Sequence, residues 1–249
     1  MKKIITTTIA AGLMVSGATA GSVTADFASA YVFRGATFND EAVFQPGVEA
    51  GVPIPEEFGS LAIGAWGNYD IGDYGGSLKS SEFSEVDFYA GYGLPTLVEG
   101  LDISLGWTEY TYMDPAGAGG IPSDKEGSLG LGFGVADVAL GATAYYGFGG
   151  GIKGTTYLEF TAGYDVEIDE SLAASFGASA AYVDFEDGEN GLHDGSLSAA
   201  LSYAFAEGWS AGISGTYIAQ LDDEVLVDVE DGGVYDVEFV GMFSLACDM

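Results

Sequence analysis

The sequence predicts an all-β protein: a transmembrane antiparallel up-and-down β-barrel of about 12 strands that follows an N-terminal signal peptide. Three observations support this prediction. The chain begins with an export signal, apolar residues alternate with small or acidic ones in many short segments, and the connections between those segments alternate in length.

The first residues have the features of a secretory signal. Lys2 and Lys3 give a positively charged start, Ile4–Val15 is a short apolar stretch, and Ala18-Thr19-Ala20 provides the small residues of a cleavage site. The apolar stretch is too short to span a bilayer as a helix. We therefore expect residues 1–20 to be a signal peptide and residues 21–249 to form a barrel domain in the cell outer membrane.

The composition is both strongly acidic and apolar. All 38 acidic residues follow the predicted signal and only four of the six basic residues do, so the mature net charge is −34. Nucleic acid is excluded as a partner because its phosphates would be repelled. A mean hydropathy of +0.23, with 15 Tyr and 15 Phe, is unlike an acidic disordered chain. Apolar and acidic residues must therefore lie on separate faces.

Alternation with a period of two recurs along the mature chain, as in residues 101–108 and 197–205. The segments have the length that a tilted strand needs to cross the hydrocarbon, and an even number returns the chain to the side where it started. Ten or fourteen strands also fit, because boundaries found in this way slip by a few residues. The twelve predicted segments are 23–34, 43–52, 60–70, 84–93, 100–112, 127–135, 138–148, 155–165, 171–183, 195–205, 208–219 and 234–246.

The connections between these segments also indicate a membrane barrel. Every second connection is short, and most of the others are longer and polar, which is typical of periplasmic turns and outer loops. A soluble sandwich or lipocalin-like barrel would turn the apolar residues inward. The other face is mostly Gly, Ser, Ala and Thr without Lys, which makes a poor solvated surface, and aromatic residues near the strand ends are typical of an interfacial girdle.

Four segments carry a family resemblance. Residues 29–35 are Ser-Ala-Tyr-Val-Phe-Arg-Gly, and residues 61–70, 85–92 and 101–110 supply a Gly-x-Trp-Gly-x-Asn-like strand, a Glu-x-Asp-x-Tyr-x-Gly-Tyr-like strand and a Trp-containing strand. This series resembles the TorF-type porins, a family of bacterial outer-membrane β-barrel proteins, over roughly residues 24–112. The resemblance implies a porin-like role.

The C-terminus departs from the usual pattern of outer-membrane barrels, which end on an aromatic residue that the barrel assembly machinery recognises. This chain ends Phe243-Ser-Leu-Ala-Cys-Asp-Met249, so the signal is either displaced to Phe243 or replaced by a variant. The other expected partners are outer-membrane lipid, lipopolysaccharide, and small solutes or cations. We expect no cofactor, and the oligomeric state is left open.

Charged residues within the strands should face the lumen, because lipid excludes charge. Their neighbours on that face are small, so the lumen should not be fully packed. Carboxylates on a narrow wall concentrate cations and repel anions. The sequence therefore predicts a passive channel that prefers small cations, although the same carboxylates fit solvated lumen residues equally well. The alternative is a non-conducting barrel with a structural or adhesive role through acidic loops. The predicted lumen-facing charges are Asp26, Arg34, Glu49, Asp87, Asp102, Glu159, Asp236 and Glu238.

Arginine and histidine each occur only once in the mature chain. Arg34 is placed inside the first predicted strand, where its guanidinium should bridge inward carboxylates near the outer rim as a structural clamp. His193 is the only histidine, in a segment predicted to be an exposed loop, with Asp194 and Ser196 nearby. Neighbours in sequence do not make a catalytic triad, so we expect no enzyme activity.

Two acidic loop segments, residues 184–191 and 222–231, are rich in oxygen ligands for calcium. Neither has the spacing of a helix-loop-helix calcium loop. Solvated loop charge is the favoured interpretation, and weak divalent bridging to lipopolysaccharide phosphates is the alternative. Cys247 is expected to be inert near the periplasmic end.

Overall fold

The computed structural model describes residues 21–72, 81–95, 98, 100–113, 122–186 and 188–249. The predicted signal peptide and Lys79 lie outside these residues.

Within the described residues, twelve antiparallel strands close into a barrel in which spatial order follows chain order, and a separate two-stranded hairpin stands between the first two of them. This confirms the predicted fold class. Most strands match their predicted segments to within a few residues. The barrel strands are β1 (Gly21–Ala28), β4 (Val43–Val52), β5 (Ser60–Asp70), β6 (Glu82–Gly93), β7 (Leu101–Tyr112), β8 (Ser123–Val135), β9 (Val138–Gly149), β10 (Thr156–Glu167), β11 (Leu172–Asp184), β12 (Gly191–Ala206), β13 (Trp209–Gln220) and β14 (Phe239–Asp248); the hairpin strands are β2 (Tyr31–Phe33) and β3 (Ala36–Asn39).

The first strand closes the barrel. In β1, Phe27 lies opposite Phe243 of β14 on one side and opposite Phe44 of β4 on the other. Closure gives each strand a partner on both sides, which is the condition for a sheet to lie in hydrocarbon without unpaired backbone groups. No helix in the described ranges is long and apolar enough to cross a membrane.

The two ends of the barrel differ. Gly21 and Asp248 lie at one end, which also carries the short connections, and we call it the turn end. The connection after β10 is typical: the Asp169 carboxylate accepts hydrogen bonds from the backbone N–H of Ser171 (2.8 Å) and of Leu172 (2.9 Å). These bonds, with one from the Ser171 hydroxyl, hold the pKa of Asp169 below its ordinary value. The opposite end, with the longer connections, is the loop end.

The outer surface of the barrel is apolar. Leu197 (62 % exposed), Phe239 (60 %) and Phe160 (58 %) point away from the lumen, and Trp107 is 41 % exposed. A contiguous belt of exposed large apolar side chains is incompatible with water and matches the lipid-facing band of a membrane barrel.

The first and last predicted strands need correction. β1 ends at Ala28 instead of residue 34, and the chain then forms the β2–β3 hairpin, so that Arg34 lies in a turn and not in a barrel strand. The last strand begins at Phe239 instead of residue 234. Asp236 and Glu238 therefore precede the strand and are exposed. Tyr235, in the same segment, is buried, because the chain before β14 folds into the barrel mouth.

Candidate functional site

The β2–β3 hairpin crosses the lumen. It leaves the wall between β1 and β4, and its tip residue Arg34 contacts side chains of β8, β9 and β10. In the ring of twelve described strands, β8 and β10 are each five positions from β1 and β9 is six positions away. These three strands therefore form the far wall. Arg34 (φ 51°) and Gly35 (φ 77°) both have left-handed backbone conformations, which suits the tight turn of a two-residue hairpin.

Arg34 ties the hairpin to the far wall. Its Nη1 donates to Glu126 Oε2 (2.7 Å) and its Nη2 donates to Glu126 Oε1 (2.8 Å). The guanidinium carbon lies 4.2 Å from the ring centroid of Tyr145 and 4.4 Å from that of Tyr157. A planar guanidinium satisfies both types of contact at once, because its edge donates hydrogen bonds while its faces stack on rings. The carboxylate that binds Arg34, Glu126, was not singled out from the sequence.

The last loop, residues 221–238, covers the hairpin. The Thr37 backbone N–H donates to the Val234 carbonyl (2.7 Å), and the Val237 N–H donates to Thr37 Oγ1 (3.0 Å). Leu226 is only 1 % exposed and packs against Gly35. We refer to the β2–β3 hairpin together with this loop as the plug, since the two fill the loop half of the lumen.

Aromatic packing holds the base of the hairpin. The ring of Tyr31 lies 5.1 Å from that of Phe38 and 5.5 Å from that of Trp66, and Val43 beside it is fully buried. The Tyr31 hydroxyl donates to Glu85 Oε2 (2.8 Å) on β6. The plug is therefore attached to the near wall as well as to the far wall.

The wall around the plug is unusually acidic for a buried surface. Six of its carboxyl side chains are at most 7 % exposed, and they lie on β5, β6, β8 and β12: Asp70, Glu85, Asp87, Asp124, Glu126 and Asp194. Of these, only Asp87 was predicted from the sequence to face the lumen. The others lie near the loop ends of strands at positions that alternate with apolar ones, so strand parity extended to the strand ends would have found them.

The remaining predicted lumen charges do not form one ring. Asp26 and Glu49 are half-buried on β1 and β4, and Asp102 is exposed near the turn end of β7. Glu159 is half-buried on β10 within electrostatic reach of Arg34. The structure therefore places Arg34, Asp87 and Glu159 in the loop half, and Glu49 and Asp102 toward the turn end.

Small side chains line the turn half of the lumen. Glycine on one strand faces a hydroxyl on the next, as Gly130 faces Ser104 and Gly177 faces Ser198. A Cβ on Gly163 would meet no atom within 4 Å. This half is therefore a polar vestibule, open toward the turn end, in contrast to the filled loop half.

His193 is not in an exposed loop, which corrects the sequence prediction. It lies in β12 and is 8 % exposed. The register between β11 and β12 shifts so that Ala181 stands opposite both His193 and Asp194, and such a bulge brings two consecutive side chains together. His193 Nδ1 lies 2.8 Å from Asp194 Oδ1, whereas the Ser196 hydroxyl lies 2.7 Å from that of Ser179. His193, Asp194 and Ser196 therefore do not form a catalytic triad.

The acidic loops bind their own backbone. Asp222 accepts a hydrogen bond from the Glu224 N–H (3.0 Å) and Asp228 from the Glu230 N–H (3.1 Å). In the part of the chain that the structure describes, no three His, Cys, Asp or Glu side chains are already arranged as a metal-ligand set. Cys247 is a half-buried free cysteine near the turn end.

A closed antiparallel barrel with an apolar outer belt, a polar lumen and both described ends on the side of the short turns defines the class of outer-membrane β-barrels.

Comparisons with solved structures place the chain within this architecture. The NanC porin superposes with a TM-score of 0.51 at 8 % identity, covering 91 % of this chain and 97 % of that one. The KdgM porin gives 0.51 at 8 % identity over 91 % and 98 %, and the COG4313 outer-membrane channel from Pseudomonas putida F1 gives 0.52 at 11 % identity over 96 % and 97 %. At such identities the likeness shows the fold alone. No family model and no curated protein matches the chain, so the resemblance to TorF-type porins is not confirmed.

Proposed function

We propose that the protein is an outer-membrane channel for passive diffusion of small hydrophilic solutes, with a preference for cations. The observation that carries the proposal is the lumen itself: small and hydroxyl-bearing side chains line its turn half, and acidic side chains outnumber the basic Arg34 around its loop half. Small polar walls leave space for water, and uncompensated carboxylates attract cations into a low-dielectric passage.

The similar solved structures support this class of function. The NanC and KdgM proteins are porins and the COG4313 protein is a channel. KdgM has also been crystallised with oligogalacturonate, a polyanion. The acidic lumen of the present chain disfavours such a ligand, because like charges repel at short range in a narrow passage. We therefore propose small cations and small neutral solutes as the permeants.

The plug sets the width of the proposed passage. It crosses to the far wall and is tied there through Arg34 and Glu126, so solutes pass only between the plug and the barrel wall. This favours low conductance and a small size limit. We propose export through the N-terminal signal and assembly in the outer membrane as the setting of the channel.

The filled loop half also favours a second candidate, a barrel that does not conduct and that acts through its acidic outer loops. Single-channel recording of the mature protein in planar bilayers separates the two. We expect small unitary currents and, in a potassium chloride gradient, a reversal potential of the sign for cation preference. An anion preference would overturn the proposed selectivity, and silence at all voltages, together with no liposome swelling in small sugars, would overturn the channel.

A further inference from the structure

We propose that a patch of the lumen wall on β4, β5 and β6, just below the plug, binds small organic cations that carry an alkylammonium group. The proposal deepens the proposed function, because it names a class of solute that the passage would favour. Binding at the patch is measurable without transport, so the two proposals fail separately.

The patch occupies two adjacent rows of residues that face the lumen. Trp66 lies near Tyr31 of the plug, so this face of β5 is the lumen face, and every second residue shares it. We call these residues the near-wall patch. It consists of Glu49, Gly64 and Tyr89 in one row, and of Gly47 and Trp66 in the next row toward the loop end.

Tyr89 and Glu49 lie side by side on the wall. A Cβ at Gly64 would fall 2.6 Å from Tyr89 Cε2, so the ring leans across β5 into the space that a larger residue would fill. On its far side Gly64 stands opposite Glu49, and the Tyr89 hydroxyl donates to the Glu49 carboxylate. Both side chains are only partly buried. The lumen wall therefore presents an aromatic ring next to an anionic group.

Trp66 extends this aromatic surface toward the plug. Its Cδ1 lies 3.8 Å from the position of a Cβ on Gly47, so the indole ring also leans toward a glycine of β4. Its ring centroid is 5.5 Å from that of Tyr31, and the side chain is partly buried. Residues of adjacent rows are about 7 Å apart along a strand. Trp66 and Tyr89 are therefore close enough to contact the same small solute.

The charge of the near-wall patch favours a cation. Of the basic side chains that the structure describes, Arg34 pairs with Glu126 and Lys125 pairs with Glu109, and no ion pair among the described residues includes Glu49. Aromatic rings attract cationic groups through the negative potential of their faces, and a neighbouring carboxylate adds a Coulomb attraction.

The same arrangement favours an organic cation over a metal ion. A metal ion needs several oxygen ligands, and no group of acidic, His or Cys side chains in the described ranges could hold one. An alkylammonium group binds differently, because its methyl or methylene groups contact aromatic rings while its charge faces one carboxylate. The near-wall patch supplies two rings and one carboxylate.

Saturation-transfer NMR on the folded mature protein in detergent micelles tests the proposal with choline as the probe. We expect saturable binding with a millimolar dissociation constant, and much weaker binding of 3,3-dimethylbutan-1-ol, which has the same shape without the charge. Tyr89→Leu and Glu49→Gln should each weaken choline binding roughly fivefold. Tyr89→Phe should retain most of the affinity, because it keeps the ring.

Two variants outside the near-wall patch serve as matched controls. Tyr217→Leu removes an outward-facing tyrosine that is 46 % exposed, and Asp223→Asn removes an exposed loop carboxylate; both should bind choline as the wild type does. Heat-modifiable mobility in electrophoresis checks that each variant is folded.

Three results would overturn the proposal: no saturable choline binding, equal specific binding of the uncharged alcohol, or unchanged affinity in folded Tyr89→Leu. Choline binding by a barrel that passes no current would instead overturn the channel and support the near-wall patch.

Discussion

Arg34 and Glu126 are 92 positions apart in the chain and form a two-point ion pair across the barrel lumen, with Nη1–Oε2 and Nη2–Oε1 distances of 2.7 Å and 2.8 Å. Tyr110 donates a third hydrogen bond to the same carboxylate (3.0 Å). Aromatic rings lie over the guanidinium, including that of Phe33 at 4.7 Å. This pair fixes the hairpin tip against the far wall and so determines how much of the lumen is filled.

Replacing Arg34 by Ala should release the hairpin tip. Glu126 would remain buried without its cation, which costs about 3–5 kcal/mol in free energy of unfolding. We expect a lower midpoint in urea unfolding from lipid vesicles and a larger single-channel conductance. The double variant Arg34→Ala/Glu126→Gln should regain part of the stability while it keeps the larger conductance, because it removes the orphaned charge. If Arg34→Ala changes neither stability nor conductance, the pair does not hold the plug.

Gly35→Ala tests how closely the hairpin tip packs against Leu226 of the last loop. A Cβ at Gly35 would lie 2.6 Å from Leu226 Cδ2 and 3.0 Å from Asp194 Cβ, at a φ of 77°. We expect a loss of about 2–4 kcal/mol in free energy of unfolding, of which about 1 kcal/mol is backbone strain. Gly232→Ala is the matched control, because φ there is 88° and a Cβ would meet nothing within 4 Å. Equal losses in the two variants would show that strain alone acts and that Leu226 does not pack tightly on the tip.

The selectivity for cations over anions should depend on acidic residues in the turn half of the lumen. In the variant Glu49→Gln/Asp102→Asn, two carboxylates are neutralised without a change in side-chain size. We expect the ratio of cation to anion permeability to fall roughly twofold, because the local potential that attracts cations weakens. Reversal potentials in a salt gradient give the ratio. The exposed-loop variant Asp223→Asn serves as the control, and an equal fall there would assign the selectivity to the loops.

Arginine scanning distinguishes the two faces of β10. Phe160 points outward and is 58 % exposed, whereas Thr161 points inward over Gly141. Phe160→Arg should lower the free energy of unfolding by about 2–4 kcal/mol, since a charge would face lipid. Thr161→Arg should cost less, because its side chain can reach the acidic lumen. The reverse order would mean that the apolar face is not the lipid face.

The carboxyl group of Asp169, in the turn after β10, should titrate at an unusually low pH. Hydrogen bonds from Ser171 and Leu172 stabilise the ionised carboxylate and lower its folded pKa. The stabilisation of this turn is therefore present above the unfolded pKa, about 3.9 for Asp, and is lost as pH falls through the lower folded value. An NMR titration should show the amide shifts of Ser171 and Leu172 changing with a midpoint below 3.9. A midpoint at or above that value would contradict the capping role, and Asp169→Asn should abolish the transition.

Alternation along the chain predicted most of the barrel because strand parity is a local property. Residues 101–112 alternate between lipid-facing and lumen-facing side chains regardless of what lies across the barrel, so β7 was found almost to the residue. The prediction failed where the chain leaves the wall. Residues 29–34 were predicted to continue the first strand, but residues 31–33 pair with residues 36–39 in a hairpin inside the lumen.

The amino-acid sequence by itself determined the barrel class, the approximate strand positions and the separation of apolar from acidic faces. These features follow from side-chain periodicity, because alternate residues of each strand face lipid and the aqueous lumen. Only the tertiary structure decided which lumen charges meet. Contacts such as Arg34 with Glu126, or Tyr157 with Asp194 at 2.7 Å, join residues that are distant in the chain. Their formation depends on barrel closure and on the path of the plug, which no local pattern encodes.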